Sequence, residues 1–247
     1  MKKLYCIEDK NKSMKLDFFP VQPNDVELYL KDLLTFGNSK LPKTTAIFNM
    51  GPATKCPSKA LGLCELCKKC YALKAEKMYP TVLPYRIRQS NYWYLVTAEQ
   101  FAAEFIAIYK RKRIKPIYLR FNESGDFWTQ ACYNKAFEAA AIIQKETGVI
   151  SYCYTHRTDL NYYNSFTYGL KVIQSGNAKN TNISLKFIAV KPAKFDQLKQ
   201  EEKNASYYRS NDRGFLPQDR RYFCPADCKK CNLCATAPAG TIYCKLH

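Results

Sequence analysis

The sequence predicts an α/β protein whose repeated βα units form a partial, TIM-like barrel or an open parallel sheet, followed by a cysteine-rich, metal-binding C-terminal segment. Two observations predict this. Apolar stretches of strand length alternate with helical stretches of a dozen residues or more, and a crossover of that length joins parallel strands. The twelve cysteines are also uneven, with four in residues 56–70 and five in residues 224–244. Ordinary core usage does not cluster them so.

Taken in order, residues 24–36 read as a helix, with Asn24 or Asp25 as N-cap, Val26, Leu30, Leu33 and Leu34 on one face, and Gly37 closing it. Residues 44–50 read as a strand that runs directly into the first cysteine stretch. Residues 82–94 are helical, aromatic and basic. Thr97 and Gln100 have capping-box spacing and open a helix to about Lys110. Pro116 ends the basic run 110–113 and launches a strand at 117–121. Thr129 caps a helix through Lys145, which Gly148 closes. Residues 149–154 are strand, 159–174 helical with Gly176 after them, and 183–190 strand. Residues 192–221 are polar and poorly periodic and give no assignable element. The expected organisation is an α/β domain over residues 1–222, which contains the first cysteine stretch, and a metal-binding segment over 223–247 packed on it.

Hydrophobic residues make up 47% of the chain and aromatics 14%, which excludes the apolar-poor composition of disordered proteins. The opening residues lack the apolar run of a signal peptide, and no stretch has the roughly 18 apolar residues that span a bilayer. The expected location is therefore cytoplasmic, a reducing compartment in which clustered thiols bind metal rather than pair as disulfides. Lys and Arg total 39 against 21 Asp and Glu, a net charge of +18. Two four-thiolate sites of about −2 each would leave roughly +14. Such a charge suits a nucleic-acid partner, and it suits simple solubility equally.

Cys64, Cys67 and Cys70 form C-x2-C-x2-C, with Cys56 available as a fourth ligand. That spacing wraps three thiolates around one face of a compact cluster, as in ferredoxin-type sites, so a 4Fe–4S cluster is favoured over zinc. The loop leaves the carboxyl end of the first strand, where α/β folds hold ligands. In the second stretch Cys228, Cys231 and Cys234 repeat C-x2-C-x2-C, while Cys224, Cys228 and Cys231 are spaced C-x3-C-x2-C. Cys244 and His247 add two more candidate ligands. Zinc competes with iron–sulfur there, as a site that pins the C-terminal end of the chain.

Other candidates follow the middle strands. Arg120, Asn122, Glu123, Ser124, Gly125 and Asp126 lie in a polar loop after the strand at 117–121, placed to meet cofactor or substrate, or to make a capping turn. His156 follows the strand at 149–154 and is one of two histidines; it reads as a base, a ligand or a hydrogen-bonded structural residue. Tyr85 to Arg88, the rings of residues 92–94 and the cations of 110–115 mix charge with aromatics as single-strand binders do, although helical core packing explains the rings too.

Cys56-Pro, the run Cys64 to Cys70 followed by Tyr71-Ala72, Arg120 with Ser124-Gly-Asp-Phe127, the strand end Tyr154-Thr-His156 and the Cys228/Cys231/Cys234 segment closing at His247 resemble the phage and plasmid proteins called gene product 88. The resemblance covers the chain from about residue 43 onward. It implies a mobile-element origin, a host cytoplasm and iron–sulfur content, and names no reaction. The Cys-Tyr-Ala ending and the βα pattern also look like radical S-adenosylmethionine partial barrels, which bind S-adenosylmethionine at an open iron held by three cysteines. Here the spacing differs and four cysteines are in reach. Two functions follow as expectations. One is an iron–sulfur enzyme with Asn122, Glu123, Asp126 and His156 at the reacting groups and Arg120, Ser124 and Gly125 on the cofactor. The other is a metal-stabilised protein that binds DNA or RNA.

Overall fold

A computed structural model of the chain describes residues 28–65, 67–162, 168–176, 182–209 and 220–246. Among them, eight strands form one sheet: β1 (Thr35–Phe36), β2 (Thr45–Phe48), β3 (Tyr118–Phe121), β4 (Ile150–Thr155), β5 (Leu170–Ser175), β6 (Leu185–Val190), β7 (Arg221–Phe223) and β8 (Gly240–Lys245). Seven α-helices accompany them: α1 (Pro57–Ala60), α2 (Tyr71–Met78), α3 (Val82–Leu95), α4 (Ala98–Arg111), α5 (Gln130–Thr147), α6 (Pro192–Arg209) and α7 (Leu233–Thr236). The strand order is β1-β2-β3-β4-β5-β6-β8-β7. Every pairing is parallel except β1 with β2. The row is open, with no pairing of β1 to β7 among the described residues.

Strands β2 to β6 stand in the row in chain order. Parallel crossovers are right-handed, so a row wound in one direction sends its helices to one face. The packing agrees. One core joins Ala46, Phe48, Leu119, Phe121, Cys153 and Leu170 to Trp93 of α3, Phe101 and Phe105 of α4, and Ala136 and Ile143 of α5. Phe48 lies 5.0 Å from Phe101 and 5.8 Å from Trp93, centroid to centroid. The alternate residues point to the opposite face, where Tyr152, Ile173, Leu185 and Ile242 pack with Ala235 and Ala237 from the second cysteine stretch. The sheet thus carries helices on one side and the C-terminal cysteine segment on the other.

Several helix ends follow directly from the sequence. Thr97 and Gln100 form a reciprocal capping box on α4. Thr129 accepts from the Cys132 amide at the start of α5, and Gly148, at φ 72°, ends that helix in the left-handed region. The strand at 117–121, the strand at 149–154 and the helix at 82–94 are also present within a residue or two.

Two expectations are corrected. Of the helix read over 24–36, residues up to 27 lie outside the described residues, and the remainder is a single 3-10 turn, Leu30–Asp32, followed by β1. Leu30 and Leu33 are still buried, but Thr35 and Phe36 pair with the otherwise open edge of β2, and Gly37, at φ 70°, makes a turn rather than a helix cap. The helix read over 159–174 is instead β5 at its C-terminal end, while residues 163–167 lie outside the described residues. Leu170 and Ile173 suit a helical face, yet both sides of this strand are buried, which erases the period-2 signal. Residues 192–209, left unassigned by the sequence, are α6. Among the described residues no helix is long and apolar enough to cross a membrane.

Candidate functional site at the carboxyl rim

Because β2 to β5 are parallel, the loops that leave them gather at one rim. Asn122, directly after β3, sits at φ 54°, a strained position for any residue but Gly, Asn or Asp. Two bonds hold it there: its amide donates to Phe48 O (3.0 Å) and its Oδ1 accepts from the Met50 amide (3.1 Å). Asn49 answers from the β2 loop by accepting from the Ser124 amide at 2.8 Å and donating to Gln89 Oε1 at 3.0 Å. Gly125 (φ 72°) runs so close to the same loop that a Cβ would lie 2.6 Å from Gly51 O. Only glycine satisfies both demands.

Asp126 is the hub of the rim. It is 2% exposed and accepts four bonds: Ser58 Oγ (2.6 Å) and the His156 amide (2.9 Å) at Oδ2, and Thr155 Oγ1 (2.7 Å) and the Phe127 amide (2.8 Å) at Oδ1. One carboxylate thereby ties the cysteine loop after β2 to the ends of β3 and β4. Arg157 closes the far side, donating to Phe127 O and Trp128 O and pairing with both oxygens of Asp159.

His156 is half-buried beside Asp126. Burial lowers its pKa, against the opposing charges of Asp126 and Glu65, so a neutral imidazole faces the rim at pH 7. Glu65, from within the cysteine loop, meets the same spot: a Cβ on Gly176 would lie 3.4 Å from Glu65 Oε2 and 3.8 Å from His156 Cε1. The cysteine loop therefore leans across the carboxyl ends of β4 and β5.

A second buried carboxylate supports the loop from behind. Glu76 of α2 accepts from the amides of Ala53 (2.6 Å) and Thr54 (2.9 Å) and from Arg86 Nη1 (2.8 Å), and Ser124 Oγ approaches at 3.3 Å. This pair, with side chains 1% and 8% exposed, fixes α2 and hence the position of Cys70, its N-cap.

Cys56, Cys64, Cys67 and Cys70 are all half-buried along this loop. Burial, with the Asp126 charge next, pushes the Cys56 thiol up to about 12, and Cys67 is near enough to add to the rise. In the C-terminal segment burial raises Cys234 and Cys244 to about 11, with Cys224 and Cys228 contributing to both. These thiols are close enough to feel one another's charge, the condition under which a cation is the natural partner of their ionised forms. Among the described residues, however, no three His, Cys, Asp or Glu side chains are already drawn together as a metal-binding group. His247 lies outside the described residues.

Arg120 is on the face of the sheet opposite the helices, between the two cysteine segments. Its guanidinium carbon lies 5.1 Å from the centre of the Tyr154 ring, and Tyr152 is its direct neighbour on β4. Burial works against its charge, but the oxygens of Tyr71, Tyr154 and Tyr152 and the Glu123 carboxylate outweigh that, so it stays cationic.

The structure thus brings Asn122, Ser124, Gly125, Asp126, His156 and the first cysteine loop to one rim, with Arg120 just inside it. Asn122, Ser124 and Gly125 face protein partners and shape the loop. Glu123 turns outward, its Oε1 accepting from Asn38 Nδ2 at 2.6 Å and its carbonyl from Tyr71 Oη at 2.7 Å. Sequence reasoning missed Ser58, Glu65 and Glu76, and it read Arg86, within Tyr85 to Arg88, as a cation for nucleic acid, whereas the structure buries it against Glu76. Ser58 and Glu65 lie among cysteines whose spacing is the dominant signal of that stretch, and Glu76 carries no local signal.

A family model described as Gene product 88 matches residues 31–237. No curated protein and no solved structure matches the chain. The matched span contains the whole rim, both C-x2-C-x2-C runs and all but the last of the eight strands, and on that extent the chain belongs to the gene product 88 family.

Proposed function

We propose that the protein is an iron–sulfur enzyme of the phage type whose first cysteine loop holds a 4Fe–4S cluster at the carboxyl rim of the sheet. The observation that carries this reading is the placement of Cys64, Cys67 and Cys70 in the loop leaving β2, tied through Ser58 to Asp126 and facing His156 through Glu65. Parallel sheets place ligands at this end. When bound, the cluster would supply one-electron chemistry, or an open iron for S-adenosylmethionine in a radical mechanism. The residues of the chain have separate tasks. Asp126 fixes the backbone of His156; His156, neutral at pH 7, accepts a proton or orients a substrate; Asn122 and Gly125 hold the two loops in contact. The second cysteine segment, Cys224 to Cys244, would carry a further 4Fe–4S cluster or a zinc that fastens it to the sheet.

Protein purified without oxygen is expected to be brown, with about eight irons and matching acid-labile sulfide if both sites hold 4Fe–4S clusters. Substituting Cys64, Cys67 and Cys70 together by Ser should remove about half of the iron. A colourless protein with about two zincs would sink the redox reading.

A second reading, a metal-stabilised protein that binds DNA or RNA, has its own observation in favour. A groove of about 470 Å³ along α2 is lined by Lys68, Lys69, Lys74 and Lys77 beside Cys67 and Cys70, with Tyr71 and Met78 exposed alongside. Rings among cations suit a single strand. The expected result is binding to single-stranded oligonucleotides whose logarithmic affinity falls linearly with the logarithm of salt concentration, with a shallower slope when Lys74 and Lys77 are both Ala. No detectable binding at low salt would remove this reading.

A further inference from the structure

We infer that the face of the sheet between the two cysteine segments carries a binding site for a small oxyanion, a carboxylate or a phosphate group of the substrate, built on Arg120 and Tyr152. The inference names the ligand chemistry of the rim described above and rests on that rim being a ligand site; its readout needs no iron.

A buried arginine ordinarily spends its five donors on carboxylates or carbonyls, because a desolvated charge without hydrogen bonds is costly. Arg157 behaves in that way, with four bonds to Phe127, Trp128 and Asp159. Arg120 differs: among the described residues its Nε is buried without a hydrogen-bond partner, while its guanidinium stacks on the Tyr154 ring. Glu123, the nearest carboxylate in its surroundings, spends Oε1 on Asn38.

Tyr152 is the second half of the site. Pairing of β3 with β4 sets Arg120 opposite Tyr152 on the same face, so a guanidinium and a phenol stand side by side. The ring is buried, packed edge-on against Tyr118 and Tyr154 at 6.4 and 6.3 Å. These rings fix the orientation of Tyr152 beside the half-buried Arg120, and a charge-assisted bond is stronger where water is partly excluded. A guanidinium fork beside a hydroxyl matches the two or three oxygens of a carboxylate or phosphate, and the position lies within the reach of the cysteine loop through Tyr71, whose hydroxyl bonds Glu123 O. A substrate anchored here by its anionic end would extend toward His156 and Cys67.

Titration calorimetry at fixed ionic strength tests this on protein purified without oxygen, with metal content measured on the same sample. The probes are inorganic phosphate and succinate, with chloride as the reference. Saturable binding of one of them is expected, and the one that binds identifies the oxyanion. Arg120→Gln should weaken that binding about tenfold or more, as loss of a charge-assisted bond does. Lys145→Ala, an exposed cation in the last turn of α5, should leave it unchanged. Tyr152→Phe removes one oxygen without altering the packing, and a several-fold loss there decides the matter should Arg120→Gln fail to fold. Equal affinity in Tyr152→Phe and the parent, or no saturable binding of either probe, would overturn the inference. Binding to iron-free protein would uphold it even if the iron–sulfur reading fails, and iron with no anion binding would leave that reading standing alone.

Discussion

Glu76→Ala is expected to destabilise the protein by about 3–5 kcal/mol, the cost of leaving a buried charge without its partner. The substitution does more than break one pair. It strands the Arg86 guanidinium and removes the acceptor for the Ala53 and Thr54 amides, which start the loop toward Cys56. Arg86 keeps one bond, to Ala72 O at 2.9 Å, so it cannot simply swing into water without freeing that carbonyl. Urea unfolding measures the effect as a fall in midpoint at unchanged slope. The double replacement Glu76→Leu with Arg86→Met should recover only the part due to the orphaned charge, because an apolar pair of similar volume still leaves the Ala53 and Thr54 amides without an acceptor. A single-substitution cost below about 1 kcal/mol, the range of exposed pairs, would show that the pair is solvated in solution.

Asp126→Ala ranks beside it, at about 3–5 kcal/mol, since each buried donor left without a partner costs about 1–3 kcal/mol and four donors converge on this carboxylate. Asp126→Asn should be milder. The Ser58 hydroxyl can rotate to accept from the new amide, whereas the His156 backbone amide cannot change its role. Asn at this position is therefore expected to fold and to displace His156, which a shift of its ring resonances in NMR would report. Unchanged resonances together with a stability loss would confine Asp126 to a structural role.

Much of the sheet was legible because its signals are local. Thr97 and Gln100, or Thr129 and Gly148, announce helix ends within one turn of chain, and Pro116 announces a strand start. β5 was not legible, because a strand buried on both faces shows no alternation and its apolar residues at 170 and 173 fall at helical spacing. β1 was missed for a different reason. Two residues become a strand only because the β2 edge is there to receive them, which is a tertiary fact. The rim followed the same division. Asn122, Asp126 and His156 could be named because they follow apolar strands, but what joins them could not. Ser58 lies 68 residues from Asp126 in sequence, and Glu76 acts on residues 22 and 23 positions away. Hydrogen bonds of that span leave no periodic trace.

The position of β8 bears on how the chain is made. β7 leaves the ribosome before β8, yet it joins the sheet only through β8, which lies between it and β6. Until residue 245 has emerged, Arg221–Phe223 has no parallel strand to pair with and Leu185–Val190 presents an open edge. The aromatic surface of Tyr118, Tyr152, Tyr154 and Phe187 also lacks the cover that Leu233 and Ala235 provide. A nascent chain halted early is thus sticky and incomplete at once, a natural client for chaperones and proteases. The same arrangement makes the compartment between the cysteine segments depend on β8: it closes only once β8 has docked on β6 and given β7 a strand to join.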